Sequence, residues 1–160
     1  MIKKINNFLL VLLLFVISLV IISAFLIEHK LGYAPCKLCI YERVPYILSF
    51  FLIFKILFFK KYEKIVLLIL FFIFVVSSIL ALYHFGIEQT FFSESFTCKT
   101  NEISVTLSKE QLIENLEKNF VSCKDVSFRI AGFSLATINA IFSIILSVIF
   151  IRLFINYEKN

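Results

Sequence analysis

Residues 59–83 read FKKYEKIVLLILFFIFVVSSILALY, a short charged stretch followed by an apolar run with no charged side chain between Ile65 and Tyr83. A helix needs roughly 20 residues to cross a hydrocarbon core, so residues 65–83 are long enough to span. Residues 40–59, immediately upstream, form a second apolar stretch with Lys55 near its far end. Only Lys60, Lys61, Tyr62, Glu63 and Lys64 separate the two, which predicts a tight helical hairpin. Working outward, residues 8–27 and 133–155 give two further spans. The expectation is an all-α membrane protein, a four-helix transmembrane bundle forming one domain over residues 1–160.

Composition agrees with lipid as the solvent. Of 160 residues, 61% are hydrophobic, more apolar surface than a soluble chain of this length can bury. Three glycines and two prolines leave little room for linkers, and no internal repeat is present. Trp, the usual marker of membrane interfaces, is absent; 21 Phe and six Tyr can take over that duty. The net charge of +5 follows membrane topology and is no argument for a nucleic-acid partner. The N-terminus, residues 55–64 and the tail from Arg152 concentrate basic side chains, whereas most acids lie on the other side. Both termini are therefore expected in the cytoplasm, with outer loops over residues 28–39 and 84–132. Lys3 and Lys4 before an apolar stretch resemble a signal peptide, but the stretch is long and no small-x-small site precedes Glu28, so an uncleaved first helix is expected.

The second outer loop is too long to be mere connection. Ser108-Lys-Glu-Gln111 has the form of a capping box, with Leu107 and Leu112 placed as a staple. Leu112, Ile113, Leu116 and Phe120 share one helical face, so a short amphipathic helix either lies on the outer membrane surface or packs against the loop.

All four cysteines fall in these outer segments or at their edges: Cys36 and Cys39 as Cys-Lys-Leu-Cys, Cys98 and Cys123 around the amphipathic segment. Outside the cytoplasm two disulfides are the default. A Cys98–Cys123 bridge is worth roughly 3.5 kcal/mol of loop-closure entropy, enough to serve as a structural staple. A Cys36–Cys39 ring constrains little of the unfolded chain, and this spacing suits a dithiol and disulfide that interconvert. A four-cysteine zinc site is disfavoured, because Cys98 and Cys123 are too far apart to form a second knuckle, and no resident metal is expected.

Arg43 follows Cys39 by four residues, one helical turn on. Its guanidinium there favours the Cys39 thiolate and can donate to a carbonyl of a bound ring; the alternative is an arginine snorkelling to the interface. The start of the second helix adds positive charge, and Pro45 suits a first turn. His84 ends the third span on the same side, either as a second donor to that ligand or as an interfacial histidine. Asn139, Ser143 and Ser147 form a stripe in the last span that reads as helix packing.

Cys36-Lys-Leu-Cys-Ile-Tyr-Glu-Arg43, with Pro45 behind it, resembles the signature of the DsbB disulfide-bond formation proteins of the bacterial inner membrane. The stretch from Cys123 to Asn139, with Arg129, Gly132, Ser134 and Ala136, resembles the start of that family's last helix. Two cysteine pairs, four spans and similar loop lengths extend the resemblance over nearly the whole chain. Phe128 departs from it, standing where the family often has Trp, and Lys37 occupies a variable position. The resemblance implies a thiol:quinone oxidoreductase with ubiquinone or menaquinone as acceptor. It implies a periplasmic, DsbA-like thioredoxin-fold partner attacking the Cys98–Cys123 bridge and forming a mixed disulfide through Cys98. Cys123 then attacks Cys36, and Cys39 meets the quinone beside Arg43. Two rivals are a non-enzymatic membrane scaffold with structural disulfides and a protein like the vitamin K epoxide reductases. The first leaves Cys36, Cys39 and Arg43 without a reason. The second calls for a CxxC late in the bundle, where this chain has none.

Overall fold

The computed structural model describes residues 7–93, 122–124, 128–130 and 132–158. Four long helices carry the described chain: α1 (Asn7–His29), α2 (Lys37–Phe58), α3 (Glu63–Glu88) and α4 (Leu135–Glu158). A single 3-10 turn, Lys60–Tyr62, joins α2 to α3, as the charged link predicts. A two-residue antiparallel pair, β1 (Arg129–Ile130) and β2 (Phe133–Ser134), precedes α4. That hairpin was not expected; Gly132, at φ +88, supplies the left-handed residue its turn requires. Ser134 then caps α4, its hydroxyl accepting from the Thr137 N–H at 3.2 Å. Cys98 and the amphipathic segment around residues 108–120 lie outside the described residues.

Three helices, α1, α3 and α4, are long and apolar enough to cross a membrane. α2 is 22 residues long but carries Lys37, Glu42, Arg43 and Lys55, and so falls short of that composition. Glu42 and Arg43 nevertheless find partners inside the protein, described below. The three apolar helices fit an integral membrane protein, and so does the outward surface. Phe15, Phe51, Phe58, Val76 and Ile79 all point outward, a pattern that suits a hydrocarbon solvent.

Inside, α3 and α4 form the most extensive pairing, while α1 packs on α2 and α2 on α3. Phe74 of α3 is fully buried, stacked on Phe150 of α4 at 5.5 Å and edge-on to Tyr46 of α2 at 5.5 Å. Leu10, Leu13 and Ile17 bring α1 into the same core. The basic end is tied by Lys60, whose ammonium donates to Asn7, and by Lys64 over the Phe154 ring at 5.6 Å. The chain directions therefore put Cys36, Cys39 and Cys123 at the opposite end.

Two helix limits differ from expectation. α2 starts at Lys37 with Cys36 as its N-cap, so Pro45 lies inside the helix rather than in its first turn. α3 runs on to Glu88, which places His84 within the helix and leaves it 3% exposed. The end of α3 explains the extension. Thr90, at φ 63, adopts the left-handed conformation; its N–H reaches Ile87 O at 3.0 Å and the Phe91 N–H reaches Gly86 O at 2.8 Å, the paired bonds of a Schellman motif. A β-branched residue is poorly suited to that position. Thr90→Gly is expected to stabilise the fold by about 1 kcal/mol, read as a higher unfolding midpoint in detergent; an unchanged or lower midpoint counts against this cap.

Candidate active site

Cys36 is held at the mouth of α2 by its own capping role. Its sulfur accepts the Cys39 N–H at 3.1 Å, using one of the unsatisfied donors of a helix start. Both Cys36 and Cys39 are free thiols here, so the pair is seen as a dithiol and not as the disulfide that is the default for exposed outer cysteines. The Cys36 thiol is held below its usual value, chiefly because the Cys39 thiol hydrogen-bonds to it; burial opposes this. Sequence spacing points to Cys39 as the sulfur favoured by the helix start and Arg43. In the reduced pair the helix start acts on Cys36.

His84 reaches this sulfur from α3. Its Nε2 lies 3.5 Å from Cys36 Sγ, and its Nδ1 lies 2.8 Å from Glu42 Oε1. A carboxylate can only accept, so Nδ1 carries the proton and donates, and Nε2 turns toward the cysteine. The other Glu42 oxygen accepts from Asn139 Nδ2 at 2.8 Å. Asn139 Oδ1 in turn accepts from the Tyr46 hydroxyl at 2.5 Å, and Ser143 links Tyr46 to Ser77 at 3.0 Å each. The stripe of Asn139 and Ser143 thus packs helices, as expected, through a polar chain that also fixes Glu42. Ser147 is buried on the same helix.

Arg43 lies one turn beyond Cys39, but its guanidinium is taken by Glu28 of α1. The Nη1–Oε2 distance is 2.5 Å, and the group sits 5.2 Å from the Phe25 ring centre. Glu28 was missed by sequence reading, where it served only as the end of an apolar run. Glu42 was read only as part of a signature. Nothing local in the sequence signals that Glu42 must face a histidine 42 residues away.

One cavity of about 310 Å³ unites these groups. Cys36, Cys39, Arg43, His84 and Cys123 all line it, with an apolar wall that includes Ile21 and Phe142. Cys123 is disulfide-bonded and 2% exposed, and it is buried in the same cluster as Cys36, Leu38 and Ile87. Its expected pairing with Cys98 falls outside the described residues. Phe128, the departure from the resembling family, lines the cavity and packs on Tyr33 at 5.0 Å. The wall is largely apolar, with Arg43 and His84 among its polar groups, a lining that suits a lipophilic small molecule.

The comparisons with known proteins bear on the chain as a whole. "Uncharacterized protein RP370" of Rickettsia prowazekii (strain Madrid E) is 28% identical over 165 residues, covering 99% of this chain and 94% of that protein. No solved structure matches. The family profile described as "Disulfide bond formation protein DsbB" matches residues 6–153, which include both Cys36 and Cys39 at the α2 cap and Cys123 beside them. The chain therefore belongs to the DsbB family of disulfide bond formation proteins.

Proposed function

We propose that this protein is a protein-dithiol:quinone oxidoreductase that reoxidises a periplasmic, DsbA-like thioredoxin-fold dithiol and passes the electrons to a membrane quinone. α2 is the fourth span, both termini are cytoplasmic, and the cysteine end faces the periplasm of a bacterial inner membrane. The observation that carries this reading is the single cavity lined by Cys36, Cys39, Arg43, His84 and Cys123. A structural scaffold has no use for a dithiol whose buried member, Cys36, is set against an oriented histidine.

The chain's residues divide the work as follows. The reduced partner's thiolate attacks the Cys98–Cys123 disulfide at Cys98, and Cys123 leaves. Cys123, buried in the cluster that holds Cys36, attacks an oxidised Cys36–Cys39 bridge at Cys36, and Cys39 leaves with the electron pair. The second partner thiol then closes the partner's own disulfide. That step frees Cys98, which attacks Cys123 in the Cys123–Cys36 bond and expels Cys36, so the Cys98–Cys123 disulfide is regenerated and Cys36 and Cys39 are left as the dithiol. A bound ubiquinone or menaquinone supplies the two-electron acceptor that lets this dithiol close again. His84 Nε2, 3.5 Å from Cys36 Sγ, takes the thiol proton, and Glu42 on Nδ1 stabilises the charge that results. Arg43, fixed by Glu28, is a polar donor on the cavity wall.

Purified protein in detergent, given a reduced thioredoxin-fold partner and a soluble quinone, is expected to form quinol catalytically; no turnover with either quinone class sinks the reading. The order of the relay has its own test. Cys123→Ala is expected to accumulate a mixed disulfide with the partner on Cys98, identified by peptide mass. An adduct on Cys36 instead reverses the order.

A further inference from the structure

We propose that the reduced protein binds one soft divalent cation, of the Zn²⁺ or Cd²⁺ class, through Cys36 Sγ, Cys39 Sγ and His84 Nε2. These three atoms lie within 4.8 Å of one another. The Cys36 Sγ to His84 Nε2 separation is 3.5 Å. Two ligands sharing a tetrahedral zinc, at roughly 2.3 Å for sulfur and 2.0–2.1 Å for nitrogen, sit about 3.5 Å apart. The set differs from the four-cysteine site that the sequence spacing disfavours, because its third ligand comes from α3 through the fold.

The surroundings are those of a metal-binding histidine. Glu42 Oε1 holds Nδ1 at 2.8 Å, which commits Nε2 to act as the ligand atom, and Asn139 holds Glu42 in turn at 2.8 Å. Such carboxylate–histidine pairs orient the ring and raise its basicity toward a metal. Glu88 Oε1 lies 3.9 Å from the same Nε2, so a second carboxylate adds negative charge near the cation's position. Cys36, Cys39, His84 and Glu88 all line the one cavity, which gives water or a small ligand room to complete the coordination.

Binding exchanges protons for metal. The Cys36 and Cys39 thiols each release one proton, two sulfur–metal bonds form, and no electron moves. Once the pair is a disulfide only His84 remains, so the site exists in one redox state alone. A held cation blocks closure of the disulfide, a consequence that rests on the proposed thiol:quinone reaction; the binding itself does not.

The test is a Cd²⁺ titration of the full chain in detergent, with Cys98→Ser and Cys123→Ser to leave only the pair of interest, followed by the thiolate-to-cadmium absorption and by metal analysis. One Cd²⁺ per reduced chain is expected, with none on the chain whose Cys36 and Cys39 are oxidised. Glu42→Gln is expected to weaken binding roughly 10-fold, and His84→Ala by at least as much. Equal binding to the oxidised form, one cadmium shared between two chains, or an affinity unchanged in both variants overturns the proposal. Should His84→Ala fail to fold, Glu42→Gln, which keeps the size and an acceptor, carries the comparison. No quinone or partner is present, so a failed quinol assay and a failed titration are separate results.

Discussion

Cys39→Ser is expected to reduce quinol formation to the uncatalysed background, and Cys36→Ser to do the same. In the proposed reaction each substitution removes half of a bond that forms and breaks once per turnover, so no partial activity survives. The two variants still retain Cys98 and Cys123. Each should therefore oxidise one partner dithiol per chain in a single burst and then stop. That burst separates loss of the electron route from loss of folding, because a misfolded chain gives no burst. Continued quinol formation by either serine variant removes the Cys36–Cys39 pair from the mechanism.

The second large effect is expected at His84. His84 Nε2 lies 3.5 Å from Cys36 Sγ with Nδ1 held by Glu42, and in the proposed reaction it serves as a general base, a role typically worth 10²–10⁴-fold. His84→Ala should slow closure of the Cys36–Cys39 disulfide by about 10²-fold, measured under single-turnover conditions. The pH dependence carries the sign. Cys36 is held below its usual thiol value chiefly by its hydrogen bond from Cys39, which His84→Ala leaves in place. Without the imidazole, closure must wait for hydroxide or solvent to take the proton, so the variant's rate should climb with rising pH while the wild type stays flatter. Glu42→Gln keeps an acceptor for Nδ1–H but loses the charge, and an intermediate rate is expected. A His84→Ala profile parallel to the wild type indicates a packing role only.

Much of the architecture was legible in the chain because lipid imposes a simple rule. Every backbone polar group in hydrocarbon must be satisfied within its own segment, so long apolar runs become helices wherever they occur. Residues 8–27, 65–83 and 133–155 were found within a few positions of α1, α3 and α4. The charged link at residues 60–64 gave the turn between α2 and α3. The limits that moved did so through local bonds that hydropathy does not register: Cys36 capping α2, and the left-handed Thr90 ending α3.

The candidate site divides along the same line. The Cys36-x-x-Cys39 spacing and Arg43 one turn on are local facts, fixed by 3.6 residues per helical turn, and the sequence sufficed to single them out. Which group answers each of them is a long-range fact. Arg43 meets Glu28, 15 residues back, and not the cysteine beside it. Cys36 meets His84 across 48 residues, and Glu42 meets both His84 and Asn139. A buried charge must find a partner because leaving it unpaired costs several kcal/mol. That rule says a partner exists, but only the packing of α1, α3 and α4 around α2 decides which one it is.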